Sequence, residues 1–160
     1  VALAKQYNKK LYGVVSNMSI AVERRDFLKH FDCFICNQLE AGMLFMEDYA
    51  DKSPEELRDI LSKRVILGKI PAMIVTMGGN GAVYADVNGE KGICPPQRVR
   101  VKDTTGAGDA FCAGVASGLT YGKTLSEAVE IGSRLAASVI TSSENVCPRF
   151  LPEEFGITLD

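Results

Sequence analysis

Short, continuous apolar runs alternate along the chain with longer segments in which apolar residues recur every three or four positions. Leu11–Val15 and Cys33–Cys36 do not alternate cleanly with polar residues, which is typical of strands covered on both faces, and Ala72–Thr76 is a further buried-strand run. Helical spacing follows Ser53 and Thr124, each of which begins a capping-box sequence with Glu three residues later. Strands that alternate with helices predict an α/β fold with a mostly parallel sheet covered by helices.

Glycine-containing segments interrupt this pattern at two places. Met77-Gly-Gly-Asn-Gly81 is followed by a second strand, Ala82–Ala85, and then by the turn signal Asn88-Gly89, so this region predicts a strand, a loop and a hairpin. Farther along, a helix pattern begins after Asp103-Thr-Thr-Gly-Ala-Gly-Asp109 and ends near Gly122. We expect a single domain, because 160 residues suffice for one buried core and do not demand two.

Composition and charge argue against several classes of protein. A content of 46% hydrophobic and 24% charged residues is ordinary for a globular protein, and no segment approaches a transmembrane run, so we expect no membrane partner. The formal charge of -2 gives no broad attraction to nucleic acid, and the alternating run Gln97–Lys102 is expected to be a solvated sheet face. The 5 cysteines form no paired framework, which favours a cytoplasmic location.

The segment Gly106-Ala-Gly108 stands immediately before a predicted helix. Glycines permit close approach to the backbone, and a helix N-terminus supplies unpaired N–H donors and the positive end of a dipole, so the segment suits a transferring phosphoryl group. Asp109 follows directly, where it could take the proton of an attacking hydroxyl. A tight turn, with Asp109 merely favouring the helix dipole, explains the same spacing, and both interpretations stay open on spacing alone.

Three motifs together resemble one family. The string Asp103-Thr-Thr-Gly-Ala-Gly-Asp-Ala-Phe111, followed by Ala113-Gly114, closely resembles the C-terminal signature of the ribokinase-like (PfkB-type) carbohydrate and nucleoside kinases. Asn37-Gln-Leu-Glu40 resembles that family's Asn-x-x-Glu motif, and Val75-Thr-Met-Gly-Gly79 its Thr-x-Gly nucleotide loop. The order and spacing of all three agree with the family.

The resemblance covers nearly all of this chain but only the C-terminal half of such kinases. It implies that residues 1–160 are the nucleotide-binding, catalytic-base part of a single ribokinase-like domain, with the three-layer α/β/α architecture and without the N-terminal half and the lid. The missing initiating Met favours a fragment of a longer kinase over a naturally truncated homologue. A homodimer is common in the family and is expected for the full-length protein.

The family's activity and site residues would follow from the resemblance. It implies transfer of the γ-phosphoryl group of ATP, with Mg²⁺, to a hydroxyl of a sugar, a sugar phosphate or a nucleoside. Asp109 would be the general base, and Asn37 and Glu40 would organise Mg²⁺ and the phosphates, Glu40 through water. The amides assigned to the anion hole are those of Gly106, Ala107 and Gly108.

Further contacts are implied for the nucleotide and for a monovalent cation. Ser133 would border the adenine, and K⁺ would use Asp103, Thr105 and the loop Ser142–Val146. That loop lacks the glycine common in ribokinase, which weakens the expectation of a cation site. The residues that would approach the nucleotide phosphates are Thr76, Gly78 and Gly81.

Structural interpretations remain beside these roles. Without the family, Asn37 and Glu40 form a capping box, which can coexist with a functional role, and Met77–Gly81 is a plain turn. Cys33 and Cys36 are interpreted as core residues and His30 as a surface residue. A non-catalytic nucleotide-binding module and a hydrolase that uses an ordered water remain alternatives to a kinase.

Overall fold

The computed structural model describes residues 1–15, 17–142 and 150–158. The chain divides into two compact units, residues 1–95 and 96–160. The strands are β1 (Tyr12–Val14), β2 (Cys33–Asn37), β3 (Ala72–Thr76), β4 (Ala82–Asp86) and β5 (Lys91–Cys94). The α-helices are α1 (Ala2–Gln6), α2 (Met18–Glu23), α3 (Gln38–Phe45), α4 (Pro54–Gly68), α5 (Ala107–Thr120) and α6 (Leu125–Thr141). Short 3-10 helices span Arg25–His30, Gly78–Asn80 and Pro152–Phe155.

The first unit contains a mixed sheet with the strand order β1-β2-β3-β4-β5. β1 pairs in parallel with β2, and β2 with β3, whereas β3 with β4 and β4 with β5 are antiparallel. The helices α3 and α4 form the crossover that joins the parallel strands β2 and β3. The antiparallel strands β4 and β5 follow short turns, and they form the hairpin that the sequence predicts. The predicted α/β class is therefore confirmed, and the hairpin makes this sheet mixed.

The core of the first unit lies between the sheet and its helices. Side chains of one sheet face, including Phe34, Met73 and Val83, form a single cluster with apolar residues of α3 and α4. Cys33 and Ile74, which point to the other face, are also fully buried. Because both faces of the sheet are buried, the sequences of these strands are continuous apolar runs. Cys33 and Cys36 are both buried, as predicted.

Local hydrogen bonds fix where the long helices begin. Capping boxes are present at the N-termini of α3, α4 and α6, with Ser53 and Thr124 capping the last two as predicted. In each box the capping side chain accepts the backbone N–H three residues on, and the Glu at that position accepts the N–H of the capping residue. These starts depend on residues within one helical turn, which is why the sequence pattern reveals them.

The second unit is built on an antiparallel helical hairpin of α5 and α6. A Cβ added at Gly114 would lie 2.7 Å from the Cα of Gly132, and one added at Gly118 would lie 3.0 Å from the Cα of Ala128. A Cβ at Gly132 would meet the carbonyl oxygen of Phe111 at 2.7 Å. Small residues therefore let the two helix backbones touch, and Gly122, with φ +78°, turns the chain between them.

The basic run Gln97–Lys102 is not a strand, so the predicted sheet face is wrong, although all six residues are exposed as expected of a solvated segment. One backbone bond holds it, from the Lys102 N–H to the Ile140 carbonyl at 2.8 Å. Alternation alone does not make a strand, because a strand needs a neighbour to pair with, and this run pairs with none of the strands in the part of the chain that the structure describes. None of the helices in the described ranges is long and apolar enough to cross a membrane.

Candidate functional site

In the first unit, the carboxyl ends of two parallel strands bring together three of the predicted site residues. Asn37 and Thr76 are the last residues of β2 and β3 and are register partners across the ladder. Glu40 lies in the first turn of α3, directly after β2. In open α/β sheets ligands bind outside the carboxyl ends of the strands, so these three residues occupy the edge at which a ligand is expected.

Asn37 and Glu40 form the capping box that the sequence predicts. The Asn37 Oδ1 accepts the Glu40 N–H at 2.8 Å, and the Asn37 N–H donates to Glu40 Oε2 at 2.7 Å. Glu40 Oε1 and the Asn37 amide NH₂ have no hydrogen-bond partner among the described residues. Capping therefore leaves one carboxylate oxygen and one amide group for a water-mediated contact with a cation or a phosphate.

The glycine-rich connection between β3 and β4 is a tight turn with one open side. The Met77 N–H donates to the Gly81 carbonyl at 2.8 Å, and the Asn80 N–H donates to the Met77 carbonyl at 3.0 Å. Gly78 and Gly81 have φ values of +55° and +85°, which favour glycine. A Cβ at Gly78 or Gly79 would meet no atom within 4 Å, so a phosphate can approach this backbone closely.

Gln38 makes long-range hydrogen bonds beside the site that the sequence analysis did not identify. Its side-chain NH₂ donates to three backbone carbonyls of the segment after α3, those of Tyr49, Ala50 and Lys52. These bonds anchor that segment to the first residue of α3, immediately beside Asn37. The only sequence signal is a polar side chain inside the Asn-x-x-Glu motif, which does not reveal a partner eleven or more residues away.

In the second unit, the N-terminus of α5 presents unpaired backbone donors. Gly106 precedes the helix with φ +81°, and the amides of Gly106, Gly108 and Asp109 have no hydrogen-bond acceptor among the described residues. The Ala107 N–H instead donates to the Thr104 carbonyl at 3.2 Å. A Cβ at Gly108 would meet nothing within 4 Å. Free amides at an open helix N-terminus fit a phosphate group. The Asp109 amide is a donor that the sequence analysis missed.

The carboxylate of Asp109 is exposed and makes no hydrogen bond or ion pair with any described residue. It occupies the third position of α5, the same position that Glu127 occupies in α6. Glu127 uses its carboxylate in a capping box, whereas the Asp109 carboxylate does not accept the Gly106 N–H, and Gly106 has no side chain with which to complete a box. A carboxylate without a local structural partner is available to accept a proton.

Asp103 has a local partner. Its Oδ1 accepts the backbone N–H and the hydroxyl of Thr105, both at 2.9 Å. The hydrogen bond from the Thr105 backbone, followed by that from its hydroxyl, lowers the pKa of Asp103 below the usual 3.8.

Of the predicted cation-site loop, residues 143–146 lie outside the described residues. Ser133, assigned to the adenine, is half-buried on α6.

Across residues 1–15, 17–142 and 150–158, no group of three or more His, Cys, Asp and Glu side chains could hold a metal ion. A Mg²⁺ held through water and substrate phosphates does not require such a group. The spare oxygen of Glu40 is compatible with such a water-mediated contact.

Comparisons with known proteins agree with these motifs. The chain is 36% identical over 148 residues to a guanosine-inosine kinase of Exiguobacterium acetylicum, covering 91% of this chain and 47% of that protein. A probable sugar kinase of Rhizobium etli superposes with a TM-score of 0.76 at 26% identity, covering 98% of this chain and 48% of that one. Phosphofructokinase-2 of Escherichia coli in complex with potassium has the same fold, with a TM-score of 0.76 at 21% identity and coverages of 91% and 46%.

The family assignment rests on most of the chain. The chain spans about half the length of these relatives, 46–48%. The model of the pfkB family carbohydrate kinases matches residues 2–148. That range contains the Asn-x-x-Glu motif, the glycine-rich turn after β3 and the N-terminus of α5. The chain therefore belongs to the pfkB family of carbohydrate kinases.

Proposed function

We propose that this chain is the nucleotide-binding, catalytic-base part of an ATP-dependent kinase that phosphorylates a hydroxyl of a sugar, a sugar phosphate or a nucleoside. The observation that carries the proposal is the N-terminus of α5, where unpaired amides adjoin an exposed, unpartnered carboxylate. Donors aimed at developing negative charge and a base for the attacking hydroxyl are the two groups that phosphoryl transfer requires.

Each residue has a defined task in this proposal. The amides of Gly106, Gly108 and Asp109 stabilise negative charge on the transferred phosphoryl group, joined by that of Ala107 when its bond to Thr104 opens. The Asp109 carboxylate accepts the proton of the attacking hydroxyl. Asn37 and Glu40 orient Mg²⁺-bound water and phosphate oxygens. The bound Mg²⁺ would supply a positive charge that neutralises the phosphates.

The remaining expectations belong to the same proposal. Thr76, Gly78 and Gly81 contact the nucleotide phosphates, and Ser133 borders the adenine. Asp103 and Thr105 hold K⁺, an expectation supported by the phosphofructokinase-2 neighbour in complex with potassium. The named activity of the guanosine-inosine kinase makes a nucleoside the first acceptor class to test. A cytoplasmic location and a homodimer remain predictions.

The decisive experiment compares Asp109→Asn with Glu127→Gln. Both variants remove a carboxylate from the third position of a helix, so both weaken the interaction with the helix dipole. MgATP-dependent phosphorylation of guanosine, inosine, ribose and fructose 6-phosphate is measured with this chain and with the full length encoded by its gene. We expect Asp109→Asn to lose about 10²- to 10⁴-fold in kcat, the usual contribution of a general base, while Glu127→Gln retains turnover.

The result distinguishes the alternatives. Full turnover by Asp109→Asn would contradict the assignment of the base. ATP binding without any phosphorylated product, in both lengths of the protein, would favour the non-catalytic nucleotide-binding module. Phosphate release without a phosphorylated acceptor would instead indicate a hydrolase.

A further inference from the structure

A cavity lies in the first unit at the edge of the sheet opposite to the one that carries Asn37 and Thr76. Leu11, Asp32 and Pro71 line it and directly precede β1, β2 and β3, so the cavity is at the amino-terminal edge, away from Asn37 and Thr76. Its volume is about 260 Å³, which is below the range of about 300–1,000 Å³ typical of sites for drug-sized ligands. A site of this size suits a small ligand.

Positively charged side chains surround this cavity. Lys5 and Lys9 reach it from α1 and the turn after it, and Lys29 and His30 reach it from the end of the 3-10 helix before β2. We call these four residues the basic pocket. None of its three lysines forms an ion pair with any described residue.

The one carboxylate that lines the cavity is already occupied. Asp32 accepts the Leu11 N–H at 2.8 Å and pairs with Lys10 at 3.5 Å. It holds the start of β1 beside that of β2, and its charge is opposed by a lysine that does not line the cavity. The basic pocket therefore keeps an excess of positive charge facing one concave space.

Two of these groups are in close contact. The Lys5 Nζ lies 3.4 Å from His30 Nδ1. Burial, then the charges of Lys5 and Lys29, lower the pKa of His30 below 6.5, while the charge of Asp26 opposes them. An anion between these groups would reverse the repulsion, because it favours the protonated imidazole as well as both ammonium groups.

We propose that the basic pocket binds a small dianionic oxyanion, either inorganic phosphate or the phosphate group of a phosphomonoester. Lysines act as point charges for phosphate, and a protonated His30 donates a further charge-assisted hydrogen bond. Binding therefore takes up a proton at His30. The site lies at the sheet edge opposite to the one that carries Asn37 and Thr76, so it is independent of the nucleotide contacts proposed above.

His30 gives the experiment a unique probe, because it is the only histidine of the 160 residues. The imidazole proton resonances of the chain are followed by NMR against pH in sulfate, whose charge does not change in this range, and in chloride at equal ionic strength. We expect sulfate to raise the pKa of His30 relative to chloride. By linkage, sulfate should bind more tightly as the pH falls through that pKa.

Variants then locate the site. Lys5→Ala combined with Lys29→Ala should weaken sulfate binding by about tenfold or more, since each change removes a charge-assisted hydrogen bond. Lys63→Ala combined with Lys102→Ala, which removes two exposed lysines outside the pocket, is the matched control and should leave binding unchanged. Thermal unfolding of each variant verifies that it is folded.

Two ligands distinguish the source of the oxyanion. Inorganic phosphate and glycerol 3-phosphate are titrated at fixed pH, and the tighter ligand identifies a free ion or a phosphomonoester. The proposal is overturned if neither ligand nor sulfate shifts the His30 resonances beyond the effect of chloride. It is also overturned if Lys63→Ala combined with Lys102→Ala weakens binding as much as Lys5→Ala combined with Lys29→Ala, since diffuse attraction would then explain the binding.

Discussion

Replacing Gly132 with alanine tests the backbone contact between α5 and α6. The added Cβ would lie 2.7 Å from the carbonyl oxygen of Phe111, 2.9 Å from Val115 Cγ2 and 3.2 Å from Phe111 Cδ2. The first of these neighbours is backbone of the facing helix, so it cannot rotate away as a flexible side chain would. The two helices must therefore separate, or the new methyl group must overlap the carbonyl.

Two opposing terms set the size of the effect. In an exposed helix interior, glycine to alanine stabilises by about 1 kcal/mol, because alanine restricts the unfolded chain. Overpacking a close contact costs about 1–3 kcal/mol, and a rigid backbone neighbour places this cost at the upper end. We therefore expect Gly132→Ala to lower the free energy of unfolding by about 2 kcal/mol, so the contact reverses the sign expected from helix propensity.

Urea unfolding followed by circular dichroism measures this difference. Gly108→Ala is the matched control, because it adds the same methyl group in the first turn of α5, where the Cβ would meet nothing within 4 Å. That variant should be at least as stable as the unchanged chain. A Gly132→Ala chain as stable as Gly108→Ala would refute the close approach of the two helices.

Two titrations test local electrostatics. Hydrogen bonds from the Thr124 backbone and hydroxyl hold the pKa of Glu127 below 4.5, so its contribution to stability is complete above that pH and is lost as the pH falls through the lowered value. The difference in urea midpoint between the chain and Glu127→Gln should be present at pH 7 and should disappear in strong acid; a constant difference would contradict this. Burial, and then the hydrogen bond to Glu47, raises the pKa of Tyr49 to about 12. Tyr49→Phe should remove one tyrosinate absorbance change near pH 12, and a loss of absorbance change near pH 10 instead would contradict the raised pKa.

The sequence determined the features whose partners lie within a few residues. The capping box at Ser53 and the one at Thr124 are present as predicted, because the capping side chain and its Glu are three positions apart. The same holds for the turn between β3 and β4, in which Gly78 and Gly81 adopt positive φ values. The position of Asp109 in the first turn of α5 also follows from local sequence, because Gly106 marks the start of the helix and lies only three residues before Asp109.

Long-range contacts decided the rest. The run Gln97–Lys102 has the alternation of a strand but pairs with no strand among the described residues. The contact between Gly114 and Gly132 joins residues that no periodic pattern connects. Lys5 meets His30 across 25 positions, which turns an apparently isolated surface histidine into part of a basic pocket. Caps and turns are satisfied by their own segment, whereas strand pairing, helix contact and charge clustering depend on which distant segments the fold brings together.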